Sequence, residues 1–171
     1  MIYVFHICIG ILLITLQTSV IPLLPVRFEF YDILIPVVIY LGFFRPIRET
    51  IPILVFLGLM MDGISGTAFG FYLSSYVWIA LAVIVIKQFF LTRNLLLLSI
   101  VTMLGVLIEH AIWFLMENVF EFKLHELTGI IRVAPLHLIV AAVTGPFIII
   151  VLVRLQRFWE KRITARVFKR G

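Results

Sequence analysis

Charge is scarce in this chain, and cysteine is scarcer. Of 171 residues only 13% are charged, while 63% are hydrophobic. That balance excludes an ordinary water-soluble domain, in which about a quarter of residues carry charge. It points to an all-α polytopic membrane protein. The one cysteine, Cys8, lies in the first apolar run. A disulfide framework and a thiolate metal cluster are therefore excluded. Catalytic signatures are missing as well. His125-Glu126-Leu-Thr-Gly129 begins like a zinc-protease motif but has Gly129 where the second histidine belongs. There is no Gly-x-Ser-x-Gly elbow, no Walker loop and no dinucleotide fingerprint. Asp62, Glu109 and His110 offer acid–base groups, but no nucleophile stands beside them. The reading is a non-enzyme with no cofactor and no metal.

Six apolar runs are present: residues 2–24, 33–44, 51–61, 71–91, 95–116 and 133–153. They define a six-helix membrane domain over 1–153 and a basic cytoplasmic tail over 154–171. The first run is too long for a signal-peptide core and lacks a basic leader and a small-residue cleavage site, so it reads as a transmembrane helix. Pro22 and Pro25 are expected to end it. The second run spans only about 18 Å against a bilayer core of about 30 Å. The third is equally short, so the two suggest a compact hairpin. Residues 117–132 form the longest internal connection. Residues 27–32 form a short polar connection that places Glu29 and Asp32 outside.

Lys and Arg set the orientation. With six spans, the termini and the second and fourth connections share a side that carries eleven basic residues, against three on the other. Both termini are then cytoplasmic. The net charge of +5 comes largely from the tail. That favours anionic lipid or a cytosolic protein over nucleic acid.

The densest polar stretch inside apolar sequence is Gly58-Leu-Met-Met-Asp62-Gly63-Ile-Ser65-Gly66-Thr67-Ala-Phe-Gly70. It reads as a helix that ends or bends at Asp62-Gly63 and restarts near Ser65, which would cap the restart. Gly66-x3-Gly70 has the small-x3-small spacing of closely packed membrane helices, so both should resist bulk while Gly10 should matter less. For Asp62 two readings stand: a helix cap, or a functional contact. Orientation also places Gln17, Glu109, His110 and His137 in the outer half of the bilayer. Glu109, Trp113 and Glu117 share one helical face. This cluster is either an internal hydrogen-bond network or a ligand or partner site.

The run from Gly58 to Gly70 resembles the signature of the rod shape-determining protein MreD family, with its Gly-x3-Asp-x-x-Ser-Gly-x3-Gly pattern. Tyr76, the Lys87-Gln-Phe-Phe turn with Arg93-Asn94, and the acidic position Glu109 also match in order. Two departures stand out: the amino terminus lacks a basic leader, and Glu109-His110 stands where an aspartate is frequent. The resemblance implies a non-catalytic subunit of the bacterial cell-elongation complex in the inner membrane. Its implied fold is similar to the substrate-binding components of energy-coupling-factor vitamin transporters. Its implied partners are MreC, and through it MreB, RodA and a transpeptidase, in support of cell shape and peptidoglycan synthesis. The rival expectation is a vitamin-transporter substrate-binding component. Against it, span one offers only Thr15-x3-Ser19 where a small-residue surface for the coupling subunit is expected.

In the tail, Leu155, Phe158, Trp159, Ile163 and Val167 recur at helical spacing. Arg157, Lys161, Arg162 and Lys169 lie largely off that face, and Arg166 continues the charge. Span six is expected to run on as a basic amphipathic helix at the inner surface. It serves either as a lipid anchor or as a docking site for a cytoplasmic partner such as MreB.

Overall fold

An eleven-residue helix without a charged side chain lies at the centre of the molecule. A helix apolar on all sides has to be buried, and α2 (Leu34–Phe44) is buried from Leu34 to Phe43. Around it stand α1 (Ile2–Thr15, continued by a π-helical turn, Leu16–Val20), α3 (Ile47–Ser65), α4 (Phe71–Phe89), α5 (Leu95–Phe120) and α6 (Leu127–Val167). Each of the five packs against α2. The computed structural model describes residues 2–20, 23, 31–89, 94–120 and 127–167, with side chains described outside 2–5, 117–120, 127–133 and 160–167. Among the described residues all regular structure is helical.

Three helical stretches are long and apolar enough to cross a membrane: Phe71–Phe89, Leu95–Met116 and Ala134–Trp159. Their outward faces are apolar too, with Leu81 and Val85 on α4, Ile100 and Leu107 on α5, and Ile139, Val143 and Phe147 on α6 all exposed. Soluble monomers do not present apolar surface on this scale. These are features of a membrane protein, whose outer solvent is lipid.

Prolines and glycines set the α5–α6 crossing. Pro146 lies inside α6 and has no N–H to give the carbonyl four residues back, that of Ala142. The Ser99 hydroxyl on α5 donates to that carbonyl instead, at 2.9 Å. One residue earlier, a Cβ on Gly145 would run into the Thr102 side chain, so glycine is what lets α5 approach.

Several expectations need correction. The third run is not short: α3 has 19 residues, because Ile47 to Thr50 and Asp62 to Ser65 join the helix despite their polar groups. The first α-helix ends at Thr15 rather than near Leu24, and Pro22 and Pro25 lie outside the described residues. The long connection contracts, with α5 running to Phe120 and α6 starting at Leu127. His125 and Glu126 fall outside the described residues. The expected tail helix is seen as backbone. α6 has 41 residues and continues unbroken to Val167, a length of about 60 Å at 1.5 Å per residue. Arg157 is exposed on it. Lys161, Arg162 and Arg166 belong to α6, but their side chains lie outside the described set, as does Lys169 altogether.

The glycine assignments reverse. Gly66 and Gly70 take positive φ, 70° and 94°, and a Cβ on either would meet nothing within 4 Å. They are turn residues, chosen for backbone conformation rather than for packing. Gly10 is the tight one, where a Cβ would run into the Leu57 side chain. Gly58 is tighter in kind, since its Cβ would lie 2.8 Å from the Leu73 Cα, which is backbone and cannot rotate away. Gly58→Ala is expected to destabilise by about 1–3 kcal/mol, and Gly66→Ala by about 1 kcal/mol through its left-handed φ. Gly63→Ala, in α3 with open space around it, should be neutral or stabilising by up to about 1 kcal/mol. Thermal melting of the three purified variants in detergent checks that order.

Candidate functional site

The stretch from Gly58 to Gly70 folds as a joint between α3 and α4. Helix α3 continues through Asp62 and Gly63 and stops at Ser65, with Gly66 left-handed behind it. The expected bend at Asp62-Gly63 does not occur. Ser65 does not cap a restart either. Its hydroxyl pairs with Thr67 Oγ1 at 2.8 Å in an exposed turn. Asp62 does the capping, from a full turn inside the preceding helix. Its Oδ1 accepts from Tyr72 N at 2.8 Å, and Oδ2 accepts from Leu73 N at 3.3 Å. Phe71 N donates to Ala68 O and Ser74 N to Gly70 O. The orphan donors at the start of α4 are thereby satisfied. A carboxylate at a helix N-terminus is also favoured by the helix dipole. Gly58 and Asp62 lie four residues apart on one face. The glycine admits the α4 backbone, and the acid then binds it.

A second acid organises the start of α2. Asp32 was expected in an outside connection, but it is only 4% exposed. The apolar, fully enclosed α2 carries it inward, because Asp32 is the residue whose side chain closes that helix. Oδ1 accepts from Leu34 N at 2.9 Å, and Oδ2 accepts from the Tyr76 hydroxyl at 2.5 Å. Gln17 also hydrogen-bonds Asp32, while its Oε1 accepts from Ile33 N at 3.1 Å. Helices α1, α2 and α4 thus meet at one carboxylate. Beside it the Tyr31 hydroxyl lies 2.7 Å from Thr144 Oγ1. Thr144 spends its own proton on Val140 O, so Tyr31 is the donor.

A third acid, Glu109, lies on α5. It is 8% exposed and interacts electrostatically with Asp32, Tyr72 and Tyr76. No described residue gives it a hydrogen bond or an ion pair. His110, the next residue, points elsewhere. Its Nδ1 lies 2.8 Å from Val106 O, which can only accept. His110 Nε2 is then the bare nitrogen, and His137 Nδ1 donates to it at 3.3 Å. The two rings meet edge to face, at 5.4 Å and 74°. His137 Nε2 is buried without a partner among the described residues.

The polar cluster read from sequence therefore divides. Gln17 joins Asp32, Glu109 interacts electrostatically with Asp32, and His110 with His137 forms a separate α5–α6 pair. Trp113 is half-buried, and the Glu117 side chain lies outside the described set. Sequence reasoning missed Asp32, Tyr72 and Tyr31. A signal for Asp32 was present, since it stands just before an apolar run with Pro36 in its first turn, the pattern of a capped helix start. His6 is buried and stacks on Tyr40 at 5.8 Å. The described residues contain no group of three or more His, Cys, Asp or Glu side chains placed to hold a metal ion.

No family model, curated protein or solved structure matches the chain.

Asp62→Leu should leave the Tyr72 and Leu73 amides unpaired and destabilise by about 0.5–2 kcal/mol. Asp62→Asn keeps one acceptor oxygen and should lose less. Tyr76→Phe removes the donor to Asp32 and should cost about 1–3 kcal/mol. Melting curves rank the three, and an Asp62→Leu protein as stable as the parent would refute the capping role.

Proposed function

We propose that this protein is a non-catalytic membrane subunit of the bacterial cell-elongation complex, of the rod shape-determining protein MreD kind. The observation that carries the reading is the run from Gly58 to Gly70. Its acid and glycines stand at the positions of that family's signature. The division of labour found there adds support, because each signature residue has a separate task. Gly58 admits α4, Asp62 caps it, and Gly66 and Gly70 make the turn. Such a joint is a rigid scaffold element, suited to binding rather than to chemistry.

In this reading all six helices belong to the membrane domain, with both termini on the cytoplasmic side of the inner membrane. The shortness of α2 fits a helix held inside the bundle, away from lipid. The protein binds MreC within or above the bilayer and through it joins MreB, RodA and the transpeptidase. The basic end of α6, with Arg157, Lys161, Arg162, Arg166 and Lys169, rests on anionic lipid at the inner surface. Each basic residue near such a surface contributes about 1 kcal/mol.

Co-purification from native membranes tests the proposal. MreC is expected with the wild-type chain, and in reduced amount with Asp62→Leu. A tightly held small molecule in place of MreC would favour the vitamin-transporter reading instead. The role of the tail is checked separately, with Lys161, Arg162, Arg166 and Lys169 all changed to Gln. Crosslinking to MreB should persist in that variant if the tail is a lipid anchor, and vanish if it is a docking site. MreC binding is expected to be unchanged in both cases.

A further inference from the structure

The α5–α6 crossing set by Gly145 and Thr102 carries a second contact. Eight residues further along α5 and eight back along α6, the same antiparallel register brings His110 beside His137. Both rings are half-buried. They meet edge to face, at 5.4 Å between centroids. His110 Nδ1 donates to Val106 O at 2.8 Å, which leaves Nε2 as a bare lone pair 3.3 Å from His137 Nδ1. A ring whose other nitrogen is tied to a backbone carbonyl has the tautomer and orientation of a metal ligand.

His137 is less well served, because one proton cannot satisfy both of its nitrogens. With Nδ1–H given to His110, Nε2 is buried and has no partner among the described residues. Moving the proton to Nε2 frees the Nδ1 lone pair and leaves Nε2 no worse partnered than before. Two lone pairs then face each other across 3.3 Å, an arrangement that a cation between them relieves.

The separation selects the ion. Imidazole nitrogens bind zinc at about 2.0–2.1 Å. Two such bonds at a tetrahedral angle place the nitrogens about 3.3–3.4 Å apart, and two at a right angle about 2.9 Å. The observed 3.3 Å matches the tetrahedral case, which is the geometry of zinc and not of square-planar copper. Magnesium and calcium are disfavoured because they take oxygen ligands. Among the described residues no third His, Cys, Asp or Glu completes the set. Two positions are then left for water, so the site is an exchangeable chelate rather than a closed structural one.

We propose that His110 Nε2 and His137 Nδ1 bind one zinc ion and so bridge α5 to α6. The site does not depend on membership of the elongation complex.

The test uses the full chain without a histidine tag, purified in detergent and stripped of metal. Zinc chloride is the probe, competed against a chromogenic chelator, and magnesium chloride is the control. One zinc per chain is expected. His110→Gln and His137→Gln should each bind at least about tenfold more weakly, the lower end of what even an outer-shell change costs. Cys8→Ser and His125→Gln, which remove other zinc-binding side chains, should bind like the wild type. X-ray absorption of the zinc-loaded chain carrying both of these changes should show two imidazole nitrogens at about 2.0–2.1 Å. That readout needs no change at His110 or His137. The proposal is overturned by no zinc binding, by magnesium binding as tightly, by wild-type affinity in His110→Gln or His137→Gln, by lost affinity in Cys8→Ser or His125→Gln, or by fewer than two imidazoles around the ion.

Discussion

A helix half the thickness of a bilayer must have both of its ends satisfied without bulk water, and α2 imposes that demand on everything around it. Its eleven residues span about 16 Å, against a hydrocarbon core of about 30 Å. Unpaired amides and carbonyls at buried helix ends would cost several kcal/mol each. At the N-terminal end Leu34 N finds Asp32 Oδ1, Ile35 N finds Asp32 O, and Pro36 has no N–H to place. At the C-terminal end Arg45 N and the Thr50 hydroxyl both reach Leu41 O, and Lys87 Nζ lies 3.5 Å from Gly42 O. The partners come from α1, α3 and α4 as well as from the flanking backbone. Closing α2 therefore fixes the positions of three other helices.

The α3–α4 joint solves the same problem with different parts. There the helix start lies beside a preceding helix, so the cap comes from inside that helix rather than from the turn. This works only if the two backbones are close, and Gly58 makes them so. The positive φ of Gly66 and Gly70 then lets a short turn bring Tyr72 back to the level of Asp62. Tyr76 follows Tyr72 by four residues, or about 6 Å. Each of the two acids serves one helix start.

Much of the fold was legible in the sequence because apolar runs are long and polar residues few. Each of the six described helices overlaps one of the runs, and the shortness of α2 was visible directly. The extension of α3 was not, since Arg48, Glu49 and Asp62 interrupt hydropathy without interrupting hydrogen bonding. The glycine roles were illegible for a different reason. Spacing alone does not separate a glycine needed for φ from one needed for contact, and Gly66-x3-Gly70 mimics a packing motif while making a turn. Asp32 was misplaced because a charged residue next to Glu29 and Arg27 reads as loop. Its fate is decided by the helix that follows it, which is buried on every side. Those are tertiary facts, set by α4 and α1 closing over the node.

Among the described residues three acids are buried, and two of them start a helix. Asp32 and Asp62 could not be replaced without stranding amides of α2 and α4, so their cost of burial is offset by the helices they start. Glu109 lies in the middle of α5, where the backbone is already satisfied and no helix start needs it. Folding alone does not call for a carboxyl there, and an alanine or leucine would fill the space at lower desolvation cost. The same reasoning applies less forcefully to His110 and His137, since each ring already has a described partner. Of the three acids, Glu109 is thus the one whose presence the architecture does not explain.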